Sequence, residues 1–230
     1  MVAAGSVAGA AAAALNPLQA NARRLLETDR YSKAILPELT KCVHSQVEDG
    51  WFDREINLAV LKLYQFNPEQ GVVELDVLVK VLALALMQVP EPDFKLCLFL
   101  VPEQYQSLDG VQSLARLAEK LEGCRFAEFW ALLEKKPEVL AVVPGLEASL
   151  RRAIFDTVAL TYSEIPSKVL CDFLHCSQER ALEEFPQLQL AGDKIVLPAT
   201  ASNQARSKQT AAQADAHLPQ LAQVLSNSLF

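Results

Sequence analysis

INLAVLKLYQFNP, residues 56–68, reads as a helix with almost no wet side. At about 100° per residue, Arg54, Asn57, Lys62 and Gln65 fall within one half of the circumference, yet Leu58 and Leu61 lie among them. Such a helix needs cover on most sides, which the helices before and after it in the chain would supply. Asn67-Pro68 stops it, because the proline ring disfavours α geometry at the preceding residue and offers no backbone donor. The stretch predicts an inner helix of a helical stack.

The rest of the chain fits that class. Hydrophobic residues make up 51% of 230 and charged residues 21%, a globular balance, and the low count of 8 Gly beside abundant Leu and Ala favours a mainly α fold. A net charge of −7 argues against a surface built to neutralise phosphates. Five cysteines, Cys42, Cys97, Cys124, Cys171 and Cys176, form no short-range disulfide framework, so reduced, buried thiols in a cytoplasmic protein are expected. The alanine-rich start has no Lys or Arg before Arg23, unlike a signal peptide, and residues 1–16 are expected to be a disordered extension. The most apolar long run, 72–89, is interrupted by Glu74, Asp76 and Lys80, so no membrane span is expected.

Helices are predicted over 18–26, 32–47, 53–66, 72–87, 93–100, 108–121 and 125–135, separated by Pro, Gly or Asp. In 72–87 the apolar positions 72, 75, 78, 79, 82 and 86 form one stripe, narrower than the cover of 53–66. Alternating broad and narrow apolar helices suit a two-layer, HEAT-like helical-repeat domain over 17–143, with no strict sequence period. Leu146, Leu150, Ile154, Val158 and Tyr162 then mark a long helix. Ser167 and Ser177 are candidate caps of two short helices, and LQL, AGD and KIVLP read as a hairpin turning at Gly192-Asp193. Helix, helix, hairpin is the order of a small winged-helix domain, placed at 144–198. A polar linker, 199–215, leads to a C-terminal amphipathic helix, 216–230, whose Leu218, Leu221, Leu225 and Leu229 share one face and suit docking on a partner.

Motifs for chemistry are sparse. There is no phosphate loop, HExxH helix or GxSxG elbow, and His44, His175 and His217 stand in unrelated contexts. Cys171 and His175 in CDFLHC could share a helix face, but a closed zinc site draws ligands from two segments and no second one is evident; Cys42 and His44 point to different sides. No catalytic, cofactor or metal-binding residue is therefore assigned. Phe126, Phe129 and Trp130 have core spacing. The second helix of the winged-helix segment sets Arg180 alone against Glu179, Glu183 and Glu184, which repels phosphate and favours a protein-binding role. Arg180 and Glu183 thus join the four leucines as candidate partner-binding residues. Arg151-Arg152 and Lys135-Lys136 read as solvated basic pairs.

Several long segments together resemble a known family. INLAVLKLYQFNP, DRYSKAILPELTKCV (29–43), PDFKLCLFLVPE (92–103), CRFAEFWALLE (124–134) and VPGLEASLRRAIFDTVALTYSEIP (143–166) look like subunit k of eukaryotic translation initiation factor 3, a PCI-type subunit. The resemblance implies a non-catalytic, cytoplasmic scaffold that joins the other subunits, pairs closely with subunit l, and supports recruitment of the small ribosomal subunit and mRNA. RNA contact is not favoured. The departures are the alanine-rich start and a segment from His175 to Leu188 that is short for the family. The architecture is shared with scaffold subunits of the proteasome lid and the signalosome, and an RNA-binding winged-helix module is the remaining alternative.

Overall fold

The computed structural model describes residues 16–69 and 71–204, and the helices that start at Pro17, Arg54 and Gln178 begin at side-chain caps. The Asn16 side chain accepts from the Leu18 N–H, and Pro17 opens α1 (Pro17–Asp29) at a position whose N–H would lack a partner anyway. A short turn at Lys33–Ile35 leads into α2 (Leu36–Asp49), which Gly50 ends in the left-handed conformation at φ 71°. Asp53 caps α3 (Arg54–Phe66), and Asn67 closes it by donating both its N–H and its side-chain amide to the Leu63 carbonyl. α4 (Leu75–Leu86), α5 (Asp93–Leu100), α6 (Asp109–Glu122), α7 (Phe126–Lys135) and α8 (Leu146–Thr161) follow.

α3 packs against α1, α2, α4 and α5, which explains its apolar sequence. Ile56, Val60, Leu61, Leu63 and Tyr64 are buried, while Arg54, Glu55, Lys62, Gln65 and Phe66 form its narrow exposed strip. The polar Asn57 also turns inward. Its side chain and that of Gln46 on α2 exchange two hydrogen bonds of 2.9 and 3.0 Å, and Gln46 accepts a third from the Asp53 N–H. Buried amides so matched carry no desolvation penalty from an unmade bond.

The expectation for α4 needs correction. The helix starts at Leu75, not Val72, and it is the more enclosed partner of α3: every residue from Val81 to Leu86 is buried, whereas Leu75 on the expected stripe is 44% exposed. α4 touches α2, α3, α5, α6 and α8, so its C-terminal half is covered all round. The charged Asp76 and Lys80 pair with each other on the one side left open near its start.

Beyond α8 the chain forms β1 (Glu164–Pro166), α9 (Ser167–Leu174), α10 (Gln178–Glu184), β2 (Gln189–Ala191) and β3 (Lys194–Val196). The expected hairpin turns at Gly192, φ 67°, and joins an unexpected strand, β1, in an antiparallel sheet of order β1-β3-β2. Ile195 lies between Ile165 and Leu190; the first pair is buried and Leu190 is half exposed. Ser167 is not the cap of α9. Pro166 holds the extended cap position, the Ser167 N–H donates to the Asp193 carbonyl, and its hydroxyl donates to Gln178, joining α9 to α10. Ser177 caps α10 as the sequence predicts, accepting from the Arg180 N–H.

One hydrophobic cluster runs from Ala22 to Leu197 and crosses residue 144 without a break. The start of the expected linker is also anchored: the Asn203 side-chain amide lies 2.8–3.2 Å from the carbonyls of Pro198, Ala159 and Tyr162, which ties 199–204 to the end of α8. Residues 1–15, the rest of the expected linker, and the 216–230 helix with Leu218, Leu221, Leu225 and Leu229 lie outside the described residues. Among the described residues, no helix is long and apolar enough to cross a membrane.

Candidate interaction surfaces

Of the residues read as solvated basic pairs, Lys135 and Arg152 are exposed as expected, while Arg151 is not. Arg151 is 1% exposed: its Nε donates to the Leu174 carbonyl at 3.0 Å, its guanidinium bonds Glu147 and lies 3.6 Å from Glu184, and it sits 5.5 Å above the Trp130 ring. One side chain thereby links α8 to α7, α9 and α10. Trp130 completes the joint by donating its indole N–H to the Phe173 carbonyl at 2.8 Å. Arg152 remains exposed but pairs with Asp156 at 3.1 Å and lies over the stacked rings of Phe155 and Phe185. Lys136 bonds Asp109 at 2.6 Å, and that bond holds its ammonium above the usual lysine range. Three of these four cations are thus already engaged by carboxylates, which leaves little for phosphate. The sequence did carry a signal for Arg151: Glu147 stands one turn before it, and the apolar Leu150 and Ile154 flank it.

α10 presents the acidic face that the sequence predicts. Glu183 is exposed, and Arg180 is exposed with its Nε 3.9 Å from Glu184, over a shallow cleft of about 280 Å³ bordered by Leu146 and Arg151. The carboxyl of Glu179 is held below the usual range by its own backbone N–H and by Ser177. Arg180 and Glu183 share this short helix; the four leucines cannot be placed beside them, being outside the described residues.

A second surface lies between α1, α3 and the α4–α5 connection, a groove of about 520 Å³. Its floor holds two buried carboxylates. Asp53 accepts from Gln19 at 2.8 Å, Arg23 at 2.9 Å and the N–H groups of Glu55 and Ile56; burial pushes its carboxyl up, but these hydrogen bonds outweigh burial and hold it below its ordinary 3.8. Asp93 pairs with Arg54, and Arg30 pairs with Glu55 at the rim. Beside the groove Tyr31 and Phe66, 69% and 62% exposed, meet edge to face at 6.1 Å, while Phe99 on α5 is 79% exposed. Single exposed aromatics are ordinary, but an exposed pair beside a groove is a feature of docking faces.

The cysteines divide differently from the expectation. Cys42 and Cys97 are buried, and burial pushes their thiols up to about 11 and about 12. Cys124 is exposed at a left-handed position, φ 52°, after α6; Cys171 and Cys176 are only half buried. His175 stacks on Trp130 at 5.3 Å with its Nε2 3.2 Å from Glu134, and His44 faces Lys80. Among the described residues, no three His, Cys, Asp or Glu side chains converge as metal ligands.

Comparison with known proteins gives these surfaces a context. The family described as CSN8/PSMD8/EIF3K matches residues 73–189, from the approach to α4 through the first residue of β2. Eukaryotic translation initiation factor 3 subunit K of Homo sapiens is 35% identical over 158 residues, covering 68% of this chain and 72% of the relative. The subunit K proteins of Xenopus laevis, 35% identical over 163 residues, and Aspergillus niger, 33% over 208 residues, cover 74% and 77% of their own lengths and 70% and 78% of this chain. A match of this length, in vertebrate and fungal relatives alike, means that the chain belongs to the CSN8/PSMD8/EIF3K family, among the subunit K proteins of eukaryotic translation initiation factor 3.

Proposed function

We propose that this chain is a non-catalytic scaffold subunit of translation initiation factor 3 in the cytoplasm, assembling with the other subunits, most closely subunit l, and supporting the small-ribosomal-subunit initiation complex. The observation that carries this reading is the similarity to subunit K proteins over 72–77% of their length. In this reading residues 17–143 are a HEAT-like stack, 144–198 a PCI-type winged helix built on α9, α10 and the three-stranded sheet, 199–215 a linker and 216–230 a docking helix. Leu218, Leu221, Leu225 and Leu229, with Arg180 and Glu183, are its contact residues. The acidic face of α10 and the carboxylate-bound state of Arg151, Arg152 and Lys136 support protein rather than RNA as the partner.

The family description also spans CSN8 and PSMD8, which favours a scaffold role in a sister complex, the signalosome or the proteasome lid, as the second reading. Purification of the tagged chain from its own cells at moderate salt, with mass spectrometry of the retained proteins, separates the two. Recovery of initiation-factor subunits is expected; recovery of lid or signalosome subunits instead overturns the assignment. The double variant Leu221→Asp, Leu225→Asp should lose those subunits while melting as the parent does, and undiminished recovery removes the docking role of the terminal stripe.

A further inference from the structure

CDFLHC, residues 171–176, holds two thiols that the scaffold reading leaves unused. α9 ends at Leu174, and His175 takes the left-handed conformation, φ 52° and ψ 49°. The N–H groups of His175 and Cys176 both donate to the Cys171 carbonyl, the latter at 3.2 Å. A bond from the sixth residue back to the first, across a left-handed residue, is the Schellman type of helix end, in which a contact between the side chains of those two positions is frequent. The usual occupants of that contact are apolar; here both are cysteine.

Both residues are half buried and share one opening to solvent. Cys171 and Cys176 line a shallow cavity of about 630 Å³ between α7 and α9, together with Trp130, Glu134 and His175. The remaining cysteines lack this combination: Cys42 and Cys97 are buried, and Cys124 is exposed on another turn of the chain. Access and proximity coincide only at the end of α9.

We infer that Cys171 and Cys176 form a reversible dithiol–disulfide site that closes by exchange with a low-molecular-weight disulfide such as oxidised glutathione. The Cys171 thiolate attacks one sulfur of the reagent, forming a mixed disulfide and releasing one small thiolate. The Cys176 thiolate then attacks the Cys171 sulfur, closing the protein disulfide and releasing the second small thiolate. The two cysteine protons end on the two released thiols, and two electrons pass from the protein to the reagent. Burial pushes the Cys176 thiol up, so its thiolate is scarce, and the second step relies on being intramolecular. The site has structural leverage, because the same helix end supplies the Phe173 and Leu174 carbonyls that hold Trp130 and Arg151.

The test uses the full chain under native conditions in a series of reduced and oxidised glutathione mixtures, followed by acid quench, alkylation, trypsin digestion and mass spectrometry. The fragment Val169–Arg180 contains both cysteines and no other. It should become unalkylatable and lighter by two hydrogens, revert in reduced glutathione, and do so in mixtures that leave Cys42 and Cys97 alkylated. Cys176→Ser should halt the reaction at a mixed disulfide on Cys171. A wild-type fragment that stays doubly alkylated in the most oxidising mixture, or that carries two separate glutathiones, overturns the inference.

Discussion

Leu61 and Asp53 show how much a single side chain decides here. Leu61 is fully buried on α3 among α1, α2, α4 and α5, so Leu61→Asp removes apolar contact and buries a carboxyl without a partner. The two terms together cost about 5 kcal/mol or more, comparable with the whole stability of many domains, and the variant should lose cooperative thermal unfolding in circular dichroism. Asp53 contributes in the opposite sense, as a buried carboxylate that every neighbour satisfies. Its folded pKa lies below 3.8, so its contribution is fully present above 3.8 and is lost as pH falls through the lower folded value. Asp53→Asn should therefore be less stable at neutral pH by about 1–2 kcal/mol and show a shallower loss of stability in acid, as read from urea midpoints across a pH series.

At the scale of elements, periodicity made most helices legible and left their burial partly hidden. α5 was bounded correctly at 93–100 because Pro92 and the apolar run DFKLCLFL mark it locally. The enclosure of α4 was not readable, since VLALAL has no polar residue whose position could report which side meets a neighbour. β1 is three residues ending in a proline, and it pairs with β3, whose Ile195 lies thirty residues beyond Ile165, so nothing local announces it. Arg151 was misplaced for a related reason: charge predicts exposure on average, and its burial depends on the Leu174 carbonyl and Glu184 from elements later in the chain. The hairpin was legible from the alternation of LQL and KIVLP around Gly192-Asp193; at Gly192 φ is 67° and no atom crowds the site. Gly192→Val should cost about 1–2 kcal/mol through backbone strain, visible as a lowered thermal midpoint, whereas Asp193→Asn beside it should leave the midpoint nearly unchanged.

For the molecule as a whole, the continuous core from Ala22 to Leu197 couples the α1–α8 stack to the sheet that follows it. Unfolding in urea should be a single transition: the midpoint from helical circular dichroism, dominated by α1–α8, should coincide with that from proteolytic cleavage within 167–197. Two separated midpoints would mean that the Trp130 and Arg151 joint does not couple the two parts. The acidic face of α10 was legible in outline. The groove beside Tyr31 and Phe66 was not, because α1, α3 and the α4–α5 connection form it together and none of them encodes it alone.

The position of Trp130 has a practical consequence. Its indole stacks on His175 with the Arg151 guanidinium close above it, while Trp51, the other tryptophan, lies far off in sequence, half buried, and donates to Ser45 at 3.0 Å. Replacing Trp51 with Phe leaves a chain with one tryptophan, beside two groups that influence its emission. Its colour and lifetime then report, in the isolated chain, whether the α7–α9 seam is shut, without any added dye.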